Sequence, residues 1–219
     1  MEIKICGLTK EREAEYLNEA EADYAGFVFY EKSKRFVEFN KARKIMNTLS
    51  KDVKRVAVVV SPDVEMLERL SELPIDILQV HGKLSEDIIN SAQIPIWRAI
   101  NLEDNQDDRE TIKELTESFR EKENKLEGIL FDAPVFGSGK TFEWDEKAGA
   151  VDNIFSEALK NKKLILAGGL NSLNVGRGIG IFKPNIVDVS SGVEGDAGKD
   201  RKKILEFVAM ARNLISLEL

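Results

Sequence analysis

The chain has one cysteine and one histidine in 219 residues, and each shortage removes a class of protein. Cys6 alone cannot close an internal disulfide, and beside a single histidine it cannot furnish a structural zinc site. His81 is the only residue a serine–histidine triad could use. Long apolar runs are also missing: Val56–Val60 and Leu164–Ala167 have the length of strands, far below the ~20 residues that span a bilayer. No basic segment followed by an apolar run opens the sequence, so the expectation is a soluble, untargeted, cytoplasmic protein without membrane association. Positive charge is in deficit, with 32 Lys and Arg against 39 Asp and Glu. A net charge of −7 argues against a nucleic-acid partner, which needs a basic surface. An anionic small molecule would have to be held by a few local cations and backbone N–H groups against this background.

What the chain does have is alternation. No low-complexity linker or Pro/Gly-rich boundary divides it, so residues 1–219 read as one domain. Apolar, β-branched runs occur at Glu2–Cys6, Ala25–Phe29, Arg55–Val60, Ile75–Val80, Ile94–Ile100, Gly128–Asp132, Lys163–Leu166 and Ile186–Val189. Between them lie amphipathic helical patterns, among them Glu11–Ala20, Lys41–Leu49, Val64–Leu70, Asp108–Lys122 and Arg201–Leu217. Ser61-Pro62 and Asn171-Ser172 have the character of helix starts. Strands alternating with helices imply parallel pairing through right-handed crossovers. Eight such units in this length predict a closed (β/α)8 TIM barrel of the α/β class, with an open doubly wound sheet as the alternative.

In such a barrel the working residues sit at the C-terminal strand ends and in the loops that follow. Here those positions hold Lys4-Ile5-Cys6-Gly7, Tyr30 to Phe36, Gln79-Val80-His81-Gly82, Phe131-Asp132, Ala167-Gly168-Gly169-Leu170 and Ser190-Ser191-Gly192-Val193-Glu194. The loops after strands 7 and 8 commonly build a phosphate site. Gly168 and Gly169 let the backbone approach an anion, and Ser190, Ser191 and Gly192 add hydroxyl donors and more bare backbone. Gly pairs are common in turns, but two such loops at these two strands point to a phosphorylated substrate.

The same motifs, together with Gly26 to Tyr30 and Gly137 to Trp144, resemble the phosphoribosylanthranilate isomerase family. They occur in that family's order from residue 3 to about residue 205. Indole-glycerol-phosphate synthase and similar barrels share the phosphate loops but not the cysteine motif. The resemblance implies an Amadori rearrangement of N-(5-phosphoribosyl)anthranilate to 1-(2-carboxyphenylamino)-1-deoxyribulose 5-phosphate in tryptophan biosynthesis, with no metal or organic cofactor. By motif position it makes Cys6 the general base, Asp132 the general acid and Arg35 the contact to the anthranilate carboxylate. It also puts Lys4, Gln79, His81 and Asp188 among the substrate-facing residues, with the phosphate on Gly168, Gly169, Ser190, Ser191 and Gly192. The expected partner is the small-molecule substrate, and the expected state a monomer or homodimer. Three departures concern loop shape: a short segment between Asp132 and Gly137, Phe136 where a further glycine is common, and Glu31 in place of a proline.

Each residue also has a plainer reading. Cys6 could be an inert strand cysteine, Asp132 a loop cap, Lys32, Lys34 and Arg35 a solvated cluster, and Trp97 and Trp144 packing residues. His81 fits a contact near the aromatic end of the substrate as well as a supporting role. If the chemistry is as implied, Asp132 needs a raised pKa and Cys6 a lowered one, with Lys4 or Arg35 as the nearby cation. A synthase acting on the next intermediate would need a differently placed Lys and Glu pair in the barrel, and strand 3 (Arg55–Val60) ends without a lysine. A non-enzymatic phospho-ligand binder would have no reason to keep both Cys6 and Asp132.

Overall fold

The computed structural model describes residues 1–101, 117, 125–132 and 162–213. Within them, eight parallel strands close into a barrel in sequence order. They are β1 (Glu2–Cys6), β2 (Tyr24–Val28), β3 (Lys54–Val60), β4 (Ile77–His81), β5 (Ile96–Asn101), β6 (Leu126–Asp132), β7 (Lys163–Ala167) and β8 (Ile186–Val189). Each lies within two residues of its expected ends. The barrel is sealed where β1 meets β8, pairing Lys4 with Asp188 and Ile5 with Val189. The open-sheet alternative is therefore excluded.

Two faces of each strand are buried, which is why the strand sequences are apolar throughout rather than alternating. In β3, Val56 and Val58 fill the barrel interior while Ala57 and Val59 join the layer between barrel and helices. Inside the barrel, side-chain size falls toward the C-terminal end. Ile77 is followed two residues on by Gln79, Trp97 by Ala99, Ile165 by Ala167 and Ile186 by Asp188. Large side chains thus plug the lower barrel, where the Trp97 ring meets Tyr24 edge to face at 5.0 Å. Small or polar ones leave room above. The space for a site follows from this gradient.

The helices α1 (Glu11–Ala20), α2 (Phe39–Thr48), α3 (Val64–Ser71), α4 (Glu86–Ser91), α5 (Val175–Phe182) and α6 (Arg201–Asn213) form the outer layer. The helix expected over Asp108–Lys122 lies outside the described residues except for Glu117, which is helical. So do the last turn expected to Leu217, the segment Gly137 to Trp144 and Phe136. Both expected helix starts move downstream. Asp63, not Ser61, caps α3, its Oδ1 accepting from the Met66 N–H at 2.8 Å. Ser61 instead adopts a left-handed backbone and accepts from the Lys83 N–H. Asn174 Oδ1 accepts from the Asn171 N–H and Asn171 Oδ1 from the Leu173 N–H, building a turn from which α5 begins only at Val175. A carboxylate one residue past the Ser-Pro pair is the better acceptor, and the asparagines bond their own backbone instead of capping.

After β8 the chain makes a short 3-10 turn (Ser191–Val193) and a small hairpin of β9 (Glu194–Gly195) and β10 (Gly198–Lys199). The buried Glu13 carboxylate fixes this hairpin to the β1 loop by accepting from the backbone N–H groups of Thr9, Lys10 and Lys199 at 2.6–3.0 Å.

Candidate active site

A cavity of about 550 Å3 opens at the C-terminal ends of the strands. Cys6, Gln79, His81, Asp132, Asp188 and Arg35 line it, as do Gly168, Gly169, Ser190 and Ser191. Val28, Tyr30, Val58, Val60 and Leu130 supply apolar wall. A second hollow of about 500 Å3 lies outside the barrel between α3 and α4, and none of the strand-end residues reaches it.

Two sequence candidates are not in the cavity wall. Lys4 lies beneath it, fully buried, its Nζ donating to Asp188 Oδ2 at 2.8 Å. Burial pulls the Lys4 pKa down, but Asp188 and Cys6 outweigh it and hold the ammonium charged. Gly192 serves the loops rather than the wall. A Cβ there would stand 1.9 Å from the Leu170 carbonyl oxygen, so its lack of a side chain lets the loop after β8 cross the loop after β7. Gly168 and Gly169 do carry the backbone freedom expected of them, with φ of +89° and +61°.

Cys6 sits at the end of β1 opposite Gly26, where a Cβ would come within 2.8 Å of its sulfur. Its thiol departs from the expectation of a lowered pKa. Burial pushes it up, Lys4 and Lys199 pull it down, Asp188 pushes it up again, and the net direction is upward. The cation expected beside it is present as Lys4, but the carboxylate that partners Lys4 and the low-dielectric interior together cancel the gain. Asp132, at the end of β6, moves as expected. Burial, reinforced by the Asp188 charge and only partly offset by Lys4, raises its carboxyl to about 6.

His81 is pushed down to about 4 by burial and by the Lys4 and Arg98 charges, so it is neutral at physiological pH. The Gln79 amide nitrogen 2.8 Å from its Nε2 can only donate, which selects the neutral tautomer whose Nε2 accepts. That leaves Gln79 Oε1 without a hydrogen-bond partner among the described residues. Asp188 Oδ1 is left in the same condition. Two buried acceptors in the wall of one cavity are costly unless a ligand donor meets them.

Arg35 is engaged by Glu194, which accepts from its Nε at 2.5 Å and from its Nη2 at 3.0 Å. Burial would raise the Glu194 carboxyl, but hydrogen bonds from Arg35 and Lys199 prevail and hold it at about 2. Lys199, almost wholly buried, also donates to Ser190 O and Ser190 Oγ, and Ser190 Oγ donates to Cys6 O. Sequence reading gave no role to Glu194, Lys199 or Glu13. Glu194 at least stands in a quoted motif. Lys199 lies in the charged stretch Gly195 to Lys203, which looks like solvated surface.

Among the described residues no group of His, Cys, Asp or Glu could hold a metal ion, and no helix is long and apolar enough to cross a membrane.

Comparison with known proteins agrees with this geometry. The family model described as N-(5'-phosphoribosyl)anthranilate (PRA) isomerase matches residues 3–210. The N-(5'-phosphoribosyl)anthranilate isomerase of Thermoanaerobacter sp. (strain X514) is 38% identical, covering 98% of this chain and 99% of its own. The crystal structure of phosphoribosyl anthranilate isomerase from Thermotoga maritima superposes with a TM-score of 0.80 at 33% identity, covering 97% of this chain and 99% of that one. A further phosphoribosyl anthranilate isomerase structure, determined in complex with reduced 1-(o-carboxyphenylamino)-1-deoxyribulose 5-phosphate, gives a TM-score of 0.78 at 31% identity over 97% and 99% of the two chains. With a closed eight-stranded barrel, a cavity at its strand ends and relatives that span nearly the whole sequence, the chain belongs to the N-(5'-phosphoribosyl)anthranilate isomerase family.

Proposed function

We propose that the protein isomerises N-(5'-phosphoribosyl)anthranilate to 1-(2-carboxyphenylamino)-1-deoxyribulose 5-phosphate in cytoplasmic tryptophan biosynthesis, with Asp132 as general acid and Cys6 as general base. The observation that carries this reading is that a carboxyl raised to about 6 and the chain's only thiol line the same cavity, flanked by the two glycine- and serine-bearing loops.

The reaction needs a proton delivered and a proton removed. Asp132 gives its proton to the furanose ring oxygen as the C1–O bond breaks, and the nitrogen lone pair forms the C1=N bond of a protonated Schiff base. Cys6, as thiolate, then takes the C2 proton. The C–H electrons form C1=C2, the nitrogen recovers its lone pair, and the enol-amine tautomerises to the ketose. A carboxyl with an ordinary pKa of ~3.9 would be protonated in only about one molecule in a thousand at pH 7, whereas one near 6 is protonated in about one in ten. The phosphate is received by the loops bearing Gly168, Gly169, Ser190 and Ser191, with Gly192 holding the two loops together. The unpartnered Asp188 Oδ1 and Gln79 Oε1 suit the hydroxyls of the sugar. Arg35 takes the anthranilate carboxylate, and neutral His81 stands near the aromatic end.

The relative protonation of the two groups follows. In the ligand-free protein the acid has the lower pKa and the base the higher, so the productive form is the minority in which Asp132 is protonated and Cys6 ionised. A turnover assay with phosphoribosylanthranilate, followed by loss of its fluorescence, tests the reading. Steady conversion to the ketose is expected, and the absence of turnover by well-folded protein would refute it.

A further inference from the structure

Arg35 is held at two points, and the second is itself anchored. Its aliphatic stem crosses Gly7, where a Cβ would lie 2.5 Å from Arg35 Cδ. Its Nε and Nη2 are taken side-on by the two oxygens of Glu194. Glu194 is itself gripped by Lys199, whose side chain is 1% exposed and whose Nζ lies 2.9 Å from Glu194 Oε1. A guanidinium has two faces that can bind a carboxylate with parallel hydrogen bonds: the side-on pair Nε/Nη2 and the end-on pair Nη1/Nη2. Glu194 occupies the first. Among the described residues nothing bonds Nη1, so the end-on face is the one left for a ligand in the cavity that Arg35 lines.

We propose that Glu194, anchored by Lys199, is a positioning residue that fixes Arg35 so that its end-on face reads the substrate carboxylate. The inference rests on the isomerase reading and adds to it a residue that never touches substrate yet sets the selectivity for a carboxylated aromatic amine. A free arginine loses much of its side-chain entropy when it grips a ligand, and a braced one has already lost it. The brace also keeps the guanidinium from turning its side-on face inward. Because Lys199 bonds Ser190 as well, the carboxylate reader and the proposed phosphate loop share one anchor.

The test compares two substrates on each enzyme preparation: phosphoribosylanthranilate, and the phosphoribosyl derivative of aniline, which lacks the carboxylate. The ratio of their kcat/KM values is independent of how much of a preparation is folded, so a partly misfolded variant still gives a valid reading. For Glu194→Gln, kcat/KM for the anthranilate substrate should fall about 10- to 100-fold, mainly through KM, and for the aniline substrate by no more than about threefold. Glu194→Asp, which keeps the charge on a shorter arm, should show the same selective pattern with a smaller loss. On an Arg35→Ala background, Glu194→Gln should add nothing to the loss with either substrate. Equal losses on both substrates, or an undiminished loss on the Arg35→Ala background, would reduce Glu194 to a structural brace and overturn the proposal. Wild-type protein that turns over neither substrate would refute the isomerase reading and this inference with it.

Discussion

Around the barrel mouth, the arc from β8 through β1 to the loop after β2 carries Lys4, Arg35, Asp188, Glu194 and Lys199, whereas the arc from β3 to β5 carries Val58, Val60, Gln79 and a neutral His81, with Arg98 of β5 as a charge that acts on it. Cys6 stands on the ionic arc. Asp132, at the end of β6, stands next to the neutral one. The two sides shift the proposed acid and the proposed base by different routes. On the neutral side burial is opposed by little positive charge, and Asp132 keeps its proton up to about 6. On the ionic side the Lys4 ammonium draws the thiol toward ionisation, but Asp188 and the dry interior resist it. Burial raises both groups; at Asp132 little positive charge opposes it, and at Cys6 the pull of Lys4 and Lys199 is countered by Asp188.

The largest effects should come from removing the two groups that this arrangement serves. Cys6→Ala and Asp132→Asn should each lower kcat by about 10²- to 10⁴-fold, the range for a positioned acid or base, while a product analogue still binds by calorimetry. Near-normal turnover in Cys6→Ala would make the thiol a packing residue. Next in size is an assault on the ionic arc. Asp188→Asn strips the buried Lys4 ammonium of its partner and should cost about 3–5 kcal/mol, lowering the thermal midpoint by on the order of 10 °C. Replacing the neutral-arc Gln79 by Met should be far milder, and equal melting shifts would erase the contrast. Third, Arg35→Lys keeps the charge but loses the fork, and kcat/KM should drop about 10- to 100-fold. The smallest effect concerns His81, the only histidine. Its ring-proton NMR signal should show no titration between pH 5 and 8 and should shift only near pH 4. A midpoint near 6.5 would place it in solvent rather than in the neutral arc.

The barrel was legible because its strands are short, β-branched and apolar on both faces, a pattern with few other uses. Strand count and order followed from Glu2–Cys6, Arg55–Val60 and their counterparts, and strand ends then gave Cys6, Asp132 and His81 places at the mouth, while Asp188 came from the family resemblance. Position alone does not give energy. Burial leads the upward shift of Cys6, and Asp188, which adds to it, is 182 residues away in sequence and adjacent only through the β1–β8 seam. Gly192 reads in sequence as bare backbone for an anion, and only the crossing of two loops at the Leu170 carbonyl shows its other duty. Lys199 was invisible for a simpler reason. A lysine between Gly198 and Asp200 in a run of charges has the composition of surface, and only the Glu13 anchor draws it inside.

The pH dependence of kcat/KM tests the division of labour most directly, because it reports the free enzyme. With the acid's pKa below that of the base, the profile is still a bell, but its limbs exchange owners. A raised Asp132 with a lowered Cys6, which the implied chemistry asks for, would give the acidic limb to the thiol and the alkaline limb to the carboxyl. The structure predicts an acidic limb near pH 6 belonging to Asp132 and an alkaline limb above the ordinary thiol range belonging to Cys6. An acidic limb absent near 6, or an alkaline limb at or below the ordinary thiol pKa of ~8.5, would contradict the account.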